Sequence, residues 1–359
     1  MVDSQLKEEV SFSRESLDVY GDAHPKALLK NIQEEGDYLK LLESQHIVSS
    51  DQFEKNTLLQ LFRLAAKYES NPERYSTPLK GKILISAFYE PSTRTRLSFE
   101  SAWHRLGGDI MSITDRATTG IAKGESLADV AEMFNNYGDC VVLRDSSESS
   151  VQEMMGSLRI PIINAGNGID EHPTQALADL YTIFKWKPEL LKSELDESDR
   201  IRVGIVGVPN KMRTVRSLLK LFSFFPEIFE EVVIIHDGSS DSIFDEHQLE
   251  QLEDRGLNVR VSTQFNSSLP ELDVIYINAI AWVGNDYQSF GESFILDANS
   301  PIKEDAIILH PLARGEELAT ELDETSHNWY FAQARGAVFL RMALLTCMCQ
   351  RMERVMDVI

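Results

Sequence analysis

Apolar residues recur along this chain in two alternating rhythms. Short unbroken runs, bounded by glycine, proline or charge, predict buried strands at Lys82–Tyr89, Asp109–Ile113, Cys140–Leu143 and Ile160–Asn164. The same signal returns at Ile201–Val206, Glu231–His236, Val259–Ser262, Val274–Asn278 and Ala306–Leu309. Between them the spacing changes to that of a helix. Leu58, Leu59, Leu61, Phe62, Leu64 and Ala65 form a stripe within Asn56–Tyr68, and Phe99, Ala102, Trp103 and Leu106 fall at i, i+3, i+4 and i+7 before Gly107-Gly108. Helices are also predicted at Ser126–Tyr137, Thr174–Phe184, Arg213–Phe224 and, as a long apolar helix, Ala332–Asp357. Strands alternating with helices imply parallel sheets with crossover helices. Lys, Pro, Glu and Asp crowd Lys185–Ser198 and divide the pattern into two α/β halves near residue 190. No solenoid repeat or low-complexity tract interrupts it.

Composition narrows the class of partner. The 359 residues carry 35 Lys+Arg against 57 Asp+Glu, a formal charge of −22, which argues against nucleic acid. It leaves small anions open, since these need only one local positive pocket. No apolar run approaches the roughly 18 residues that span a bilayer, so no membrane role is expected. Residues 1–45 hold ten acids against five bases and read as an acidic extension that packs loosely, with a helical stretch around Pro25–Leu42. The start has no signal pattern, and Cys140, Cys347 and Cys349 cannot make a disulfide framework or a four-ligand zinc site. A reduced, cytoplasmic chain is expected.

Two strand–helix junctions carry chemistry. Glu90-Pro91-Ser92-Thr93-Arg94-Thr95-Arg96 joins a strand to a helix. A helix start offers unpaired N–H groups and a positive dipole end, to which three hydroxyls and a guanidinium fork are added. Such a junction suits a phosphate-like dianion, although the hydroxyls would equally serve as simple helix caps. In Asp170-Glu171-His172-Pro173-Thr174-Gln175 the proline sits at a helix start, and His172 and Gln175 can face one crevice. An imidazole N–H donating to C=O, beside a glutamine carbonyl accepting from NH2, would suit a ligand with those groups side by side. His172 could equally satisfy only a loop carbonyl.

Taken in order with His310-Pro311-Leu312, these motifs resemble the aspartate/ornithine carbamoyltransferase family over roughly His46 to the C-terminus. His310-Pro311-Leu312-Ala313-Arg314 and Asn328-Trp329-Tyr330-Phe331 look like its aspartate branch, while the ornithine branch's motifs are missing. The resemblance implies two doubly wound parallel-sheet domains with the C-terminal helix returning to the first. Carbamoyl phosphate would bind residues 46–187 plus 332–359, the amino acid residues 188–331, with 1–45 as the extension. It implies transfer of the carbamoyl group of carbamoyl phosphate to an amino acid, in that branch L-aspartate, giving N-carbamoyl-L-aspartate for pyrimidine biosynthesis. No metal or organic cofactor is implied. Ser92, Thr93, Arg94 and Thr95 would hold phosphate. Arg144 would bridge phosphate and carbamoyl oxygens, with Thr95 and His172 on the carbonyl oxygen. Gln175 and the carbonyls of Pro311 and Leu312 would hold the carbamoyl NH2. Arg213, with Leu312, would bind the amino acid. A homotrimer is implied too, in which Thr119 and Lys123 of a neighbouring copy complete each site. Whether a regulatory chain binds is left open.

The sequence departs from that pattern at the second substrate. Ala279 and Ala281 stand where the aspartate branch has an Arg and a Gln that grip the aspartate side chain, and alanine cannot pair a carboxylate. Trp282, Asn285 and Tyr287 could shape a less acidic pocket, and Arg335 and Arg341 are candidate compensating cations. Ala313 replaces a proline whose cis bond aims backbone carbonyls. Three readings therefore stand: carbamoyl transfer to aspartate, carbamoyl transfer to a different amino acid, or a weakly active regulatory or assembly paralogue. The complete Ser92–Thr95, Lys123, Arg144, His172 and Gln175 set speaks against the last. A dinucleotide site at Val203-Gly204-Ile205-Val206-Gly207 lacks the full glycine fingerprint.

Overall fold

The computed structural model describes residues 25–71, 77–192, 194–238, 242–278 and 294–349. Helices α1 (Pro25–Asn31) and α2 (Lys55–Ser70) precede β1 (Ile83–Phe88), α3 (Thr93–Arg105), β2 (Asp109–Ile113), α4 (Leu127–Tyr137), β3 (Cys140–Asp145), α5 (Ser150–Met155), β4 (Ile162–Asn167) and α6 (Pro173–Trp186). The second half runs β5 (Ile201–Val206), α7 (Arg213–Phe222), β6 (Phe229–Ile235), α8 (Gln248–Asp254), β7 (Val259–Ser262), α9 (Phe265–Ser268), β8 (Val274–Ile277), β9 (Ile307–Leu309) and α10 (Tyr330–Cys349). Every segment expected to be a strand forms one.

Both sheets are parallel, in the orders β2-β1-β3-β4 and β7-β6-β5-β8-β9. The apolar runs have their cause here: β3 is buried along its whole length and β1 along nearly all of it, because helices cover both faces. β2 lies at an edge and keeps most of its side chains at least partly exposed. In the first sheet the order turns back between β1 and β3, and in the second between β5 and β8. Such switch points open the crevices in which doubly wound sheets bind ligands.

Helix α10 is apolar nearly all round, so it must be enclosed. It leaves the second half and packs on α2, α3 and α6 of the first. Two polar pins hold it there. Tyr68 Oη and Thr346 Oγ1 are 2.9 Å apart, and the buried Lys185 bonds Glu69 at 3.0 and 3.1 Å while reaching the Ala332 carbonyl. The main apolar core is one cluster containing residues from both halves. Glu171 also ties the halves together. Its carboxylate accepts from Ser49 Oγ (2.7 Å), Ser50 N (2.9 Å), Ser217 Oγ (3.0 Å) and Lys220 Nζ (2.8 Å).

The loosely packed extension expected over residues 1–45 needs correction from Pro25 onward. Leu28, Ile32, Leu39 and Leu42 enter the main core, and α1 lies against α2. One of the acids that suggested a solvated arm is matched by bases of α2: Glu34 pairs with Lys67 and Arg63, which hold its carboxyl below the usual range. Residues 1–24 and the expected helix end at 350–357 lie outside the described residues, as do Ala279, Ala281, Trp282, Asn285 and Tyr287. The Leu312–Ala313 peptide bond is cis, with Ala313 in the place of the expected proline.

Candidate active site

The functional side chains sit where strands end. Glu90 follows β1, Arg144 closes β3, Gly166 lies in the last turn of β4, His172 caps α6, Arg213 opens α7 and His310 follows β9. Glu90 and Arg144 therefore flank the switch point of the first sheet. Arg144 donates to Glu90 Oε1 at 2.9 Å and to the Ala165 carbonyl at 3.3 Å. Arg213, from the other half, donates to the two Glu90 oxygens at 3.2 and 3.3 Å and to the Gly168 carbonyl at 2.7 Å. One carboxylate thus holds two guanidiniums that would otherwise repel. Burial alone would push Glu90 up, but the hydrogen bonds and charges of Arg213 and Arg144 outweigh it and keep its carboxyl below the usual range. Arg144 is pushed down to about 10, first by burial and then by the charge of Arg213, and still carries its charge near neutrality.

The helix start at α3 remains unspent. Ser92 occupies the cap position, yet its hydroxyl makes no capping bond, and the hydroxyls of Thr93 and Thr95 are likewise without partners among the described residues. Mere capping is thereby set aside for Ser92. Arg94 stands in the first turn of α3, enters no ion pair among the described residues, and acts electrostatically on both Arg144 and His310. Hydroxyls, helix-start amides and a free guanidinium converge beside a second, fixed guanidinium. That arrangement suits a dianion.

His172 and Gln175 supply a different chemistry. The His172 ring is buried and its Nδ1 has no partner, while its backbone N–H donates to Ser217 Oγ at 3.0 Å. Burial, followed by the charges of Arg144, Arg213 and Arg341, holds its imidazolium pKa well below the ordinary value, so the ring is neutral at physiological pH. A neutral imidazole has one N–H to donate and cannot act as a cation. Gln175 gives its NH2 to Asp179 Oδ1 at 2.8 Å, which leaves its carbonyl oxygen to accept.

His310 turns the other wall. Leu312 N–H donates to His310 Nδ1 at 2.7 Å, so the ring's proton is on Nε2, which lies 2.9 Å from Glu317 Oε1. This holds the Pro311–Leu312 turn. Thr119 and Lys123 are not brought into the cluster by their own chain. Thr119 Oγ1 bonds the Arg116 carbonyl at 2.7 Å, and Lys123 is exposed on its loop with no ion pair among the described residues.

The two candidate compensating cations are both engaged, Arg341 only in part, since its Nε and Nη2 have no partner among the described residues. Arg341 is buried, bonded to Ser98 Oγ at 2.5 Å, and its guanidinium carbon lies 4.7 Å from the Phe99 ring centre. Arg335 lies over the Phe339 ring and 3.9 Å from Glu69. Sequence reasoning missed Glu90, Asp179 and Gln333. The signal for Glu90 was its place directly before Pro91-Ser92, an odd position for an acid in an anion site. For Asp179 it was the i, i+4 spacing from Gln175. Among the described residues no cluster of His, Cys, Asp and Glu could hold a metal ion, and no helix is long and apolar enough to cross a membrane.

Two doubly wound sheets with a candidate anion cradle and a candidate amide-reading pair between them place the chain among α/β enzymes built to take a small anionic substrate. Residues 45–185 match the family description "Aspartate/ornithine carbamoyltransferase, carbamoyl-P binding domain", and residues 199–348 match "Aspartate/ornithine carbamoyltransferase, Asp/Orn binding domain". Aspartate carbamoyltransferase catalytic subunits from Alkaliphilus oremlandii and Haloquadratum walsbyi are 35% and 36% identical to this chain. The matches cover 87% and 86% of it and 93% and 99% of the relatives. The Trypanosoma cruzi aspartate transcarbamoylase solved with carbamoyl phosphate and aspartate superposes with a TM-score of 0.74 at 30% identity, covering 86% of this chain and 96% of that one. The same enzyme with N-(phosphonacetyl)-L-aspartic acid gives 0.73 at 31%, covering 86% and 97%. The chain belongs to the aspartate/ornithine carbamoyltransferase family, and it is a carbamoyltransferase.

Proposed function

We propose that this chain moves the carbamoyl group of carbamoyl phosphate to the amino group of L-aspartate and releases phosphate. The observation that carries it is the unspent cradle at the start of α3, set beside Arg144, neutral His172 and the free carbonyl of Gln175. The relatives' names support aspartate as the acceptor. Residues 46–187 with the C-terminal helix hold carbamoyl phosphate, and residues 188–331 hold the amino acid.

Ser92, Thr93, Arg94 and Thr95 take the phosphate oxygens. Arg144 bridges phosphate and carbonyl oxygen, and Thr95 and the His172 N–H join it on the carbonyl. Gln175 and the carbonyls of Pro311 and Leu312 accept from the carbamoyl NH2. Arg213, already oriented by Glu90, receives the α-carboxylate beside Leu312. The neutral amine nitrogen bonds the carbonyl carbon, the C–O bond to phosphate breaks with its electron pair leaving on the phosphate oxygen, and the proton shed by the nitrogen passes to that phosphate. Catalysis is positioning together with fixed charge, so no covalent intermediate is formed on the protein. Thr119 and Lys123 enter from a neighbouring copy, which makes the working form a homotrimer with shared sites. The free thiols Cys140, Cys347 and Cys349 fit a reducing cytoplasm.

The test is phosphate release and product formation from carbamoyl phosphate with a panel of amino acids. Aspartate is expected to be the best acceptor. Ala279 and Ala281 give the competing outcome its motive: turnover with another amino acid and none with aspartate refutes the acceptor assignment, while no turnover at all refutes the reaction.

A further inference from the structure

Gln175 and the Pro311–Leu312 turn come from opposite halves of the chain, yet a single buried carboxylate connects them. Asp179 Oδ1 accepts the Gln175 NH2 at 2.8 Å and the Gln333 NH2 at 2.5 Å. Gln333, in α10, uses its carbonyl oxygen to accept the His310 N–H at 2.9 Å. His310 in turn accepts from Leu312 N–H and holds Glu317, whose Oε1 also accepts from Gly315 N–H at 2.7 Å. All of Asp179, Gln333, His310 and Glu317 are buried. A glutamine amide can be turned either way, but Asp179 Oδ1 accepts in both states of its carboxyl: burial lifts that carboxyl to about 7, and a proton it takes up has its place on Oδ2, which bonds neither glutamine. Asp179 therefore forces both glutamines to present NH2 inward and their carbonyl oxygens away.

We propose that Asp179 is a positioning residue that sets the specificity of the site for a carbamoyl rather than an acyl group. Through Gln175 it aims one acceptor, and through Gln333 and His310 it steadies the turn that offers the others. The proposal rests on the carbamoyl-transfer reading and deepens it. Acceptors gathered on one side of the carbonyl select NH2 and leave a methyl group in the same place with nothing to offer them. Without Asp179 the Gln175 amide is free to flip and present its own NH2 to the ligand's.

Acetyl phosphate is the probe, because it carries CH3 where carbamoyl phosphate carries NH2. The readout is the ratio of the carbamoyl phosphate KM to the Ki of acetyl phosphate as a competitor. Asp179→Leu is expected to reduce the preference for carbamoyl phosphate by about 10-fold or more, the scale of one well-made hydrogen bond, while inhibition by acetyl phosphate and by inorganic phosphate stays within about 2-fold. Asp179→Asn keeps an oxygen in the Oδ1 position. Its NH2 would fall at the Oδ2 position, beside the Tyr276 hydroxyl, which can accept from it, so the preference should survive. Gln175→Leu and the double Asp179→Leu/Gln175→Leu variant should lose the same amount as Asp179→Leu, because they remove one device. An unchanged preference in folded Asp179→Leu, or fully additive losses, overturns the proposal. Should Asp179→Leu not fold, Gln333→Leu decides: an unchanged preference there overturns it, and a reduced one supports it. Wild-type protein that transfers no carbamoyl group refutes the reaction itself, a different failure from loss of the relay.

Discussion

Gly166 offers a sharp test of whether the paired guanidiniums must be where they are. Its φ is +106°, and a Cβ built on it would lie 3.2 Å from Arg144 Nη1 and 3.3 Å from both Cζ and Nε of Arg213. Gly166→Ala therefore has two separable effects. An L residue in the left-handed region costs about 1–2 kcal/mol, which should lower Tm by about 2–6 °C. The added methyl must also push both guanidiniums by a few tenths of an ångström, away from bonds to Glu90 that now measure 2.9–3.3 Å. Both neighbours are the ends of long side chains, so this second effect adds little to unfolding. It acts instead on alignment, for which a fall of about 10- to 100-fold in kcat/KM is expected. Gly81→Ala is the matched control. Its φ is +81° and its Cβ would meet nothing within 4 Å, so it should lose stability without losing turnover. Steady-state carbamoyl transfer and thermal melts on the two variants suffice. Wild-type kcat/KM in Gly166→Ala, with a Tm drop like that of Gly81→Ala, would refute the requirement for placed guanidiniums.

Shared sites predict complementation: inactive Lys123→Ala and inactive Arg94→Ala proteins, dissociated and reassembled together, should regain part of the wild-type activity, and none if each chain is self-sufficient. The low pKa of His172 predicts a pH effect of definite sign. Below about pH 6.5 the unfolded chain takes up a proton that the folded ring refuses, so stability should fall on acidification by up to about 1.4 kcal/mol per pH unit from this group. Denaturant melts at pH 7 and 5.5 should show that extra loss in wild type and not in His172→Asn, and a ring 15N spectrum showing imidazolium at pH 6 would contradict the neutral donor.

Strands were legible because a strand buried on both faces reads as an unbroken apolar run. Even edge strand β2 kept enough apolar character to be placed. Sheet order was not legible, since no local signal says that β3 returns to the far side of β1. Helices α5 and α8 went unread because each is short, with few apolar residues to set a period. The segment from Pro25 to Leu42 misled by composition: Leu28, Ile32, Leu39 and Leu42 enter the core from among charges that dominate the count. At the site, the residues that would touch ligand were legible through their motifs, and those that hold them were not. Glu90, Asp179 and Gln333 act by meeting partners from other elements, which periodicity along one element cannot reveal. Where Arg341 and Arg335 point was not legible for the same reason. A guanidinium's direction is decided by the ring and hydroxyl it packs against.

The return of α10 has a consequence for how this chain comes into being. Tyr68 and Thr346 meet across 278 residues of sequence. During synthesis α2, α3 and α6 leave the ribosome with their apolar faces uncovered, and they stay so until the second half has been made. The N-terminal unit, in the usual order the first to fold, here cannot complete its core until the C-terminal helix exists. The helix that finally closes the first core also delivers Gln333 between Asp179 and His310. Completion of the core and the joining of Gln175 to the Pro311–Leu312 turn are thus one event within the chain, and only a chain that has passed it has a finished site to offer a neighbouring copy.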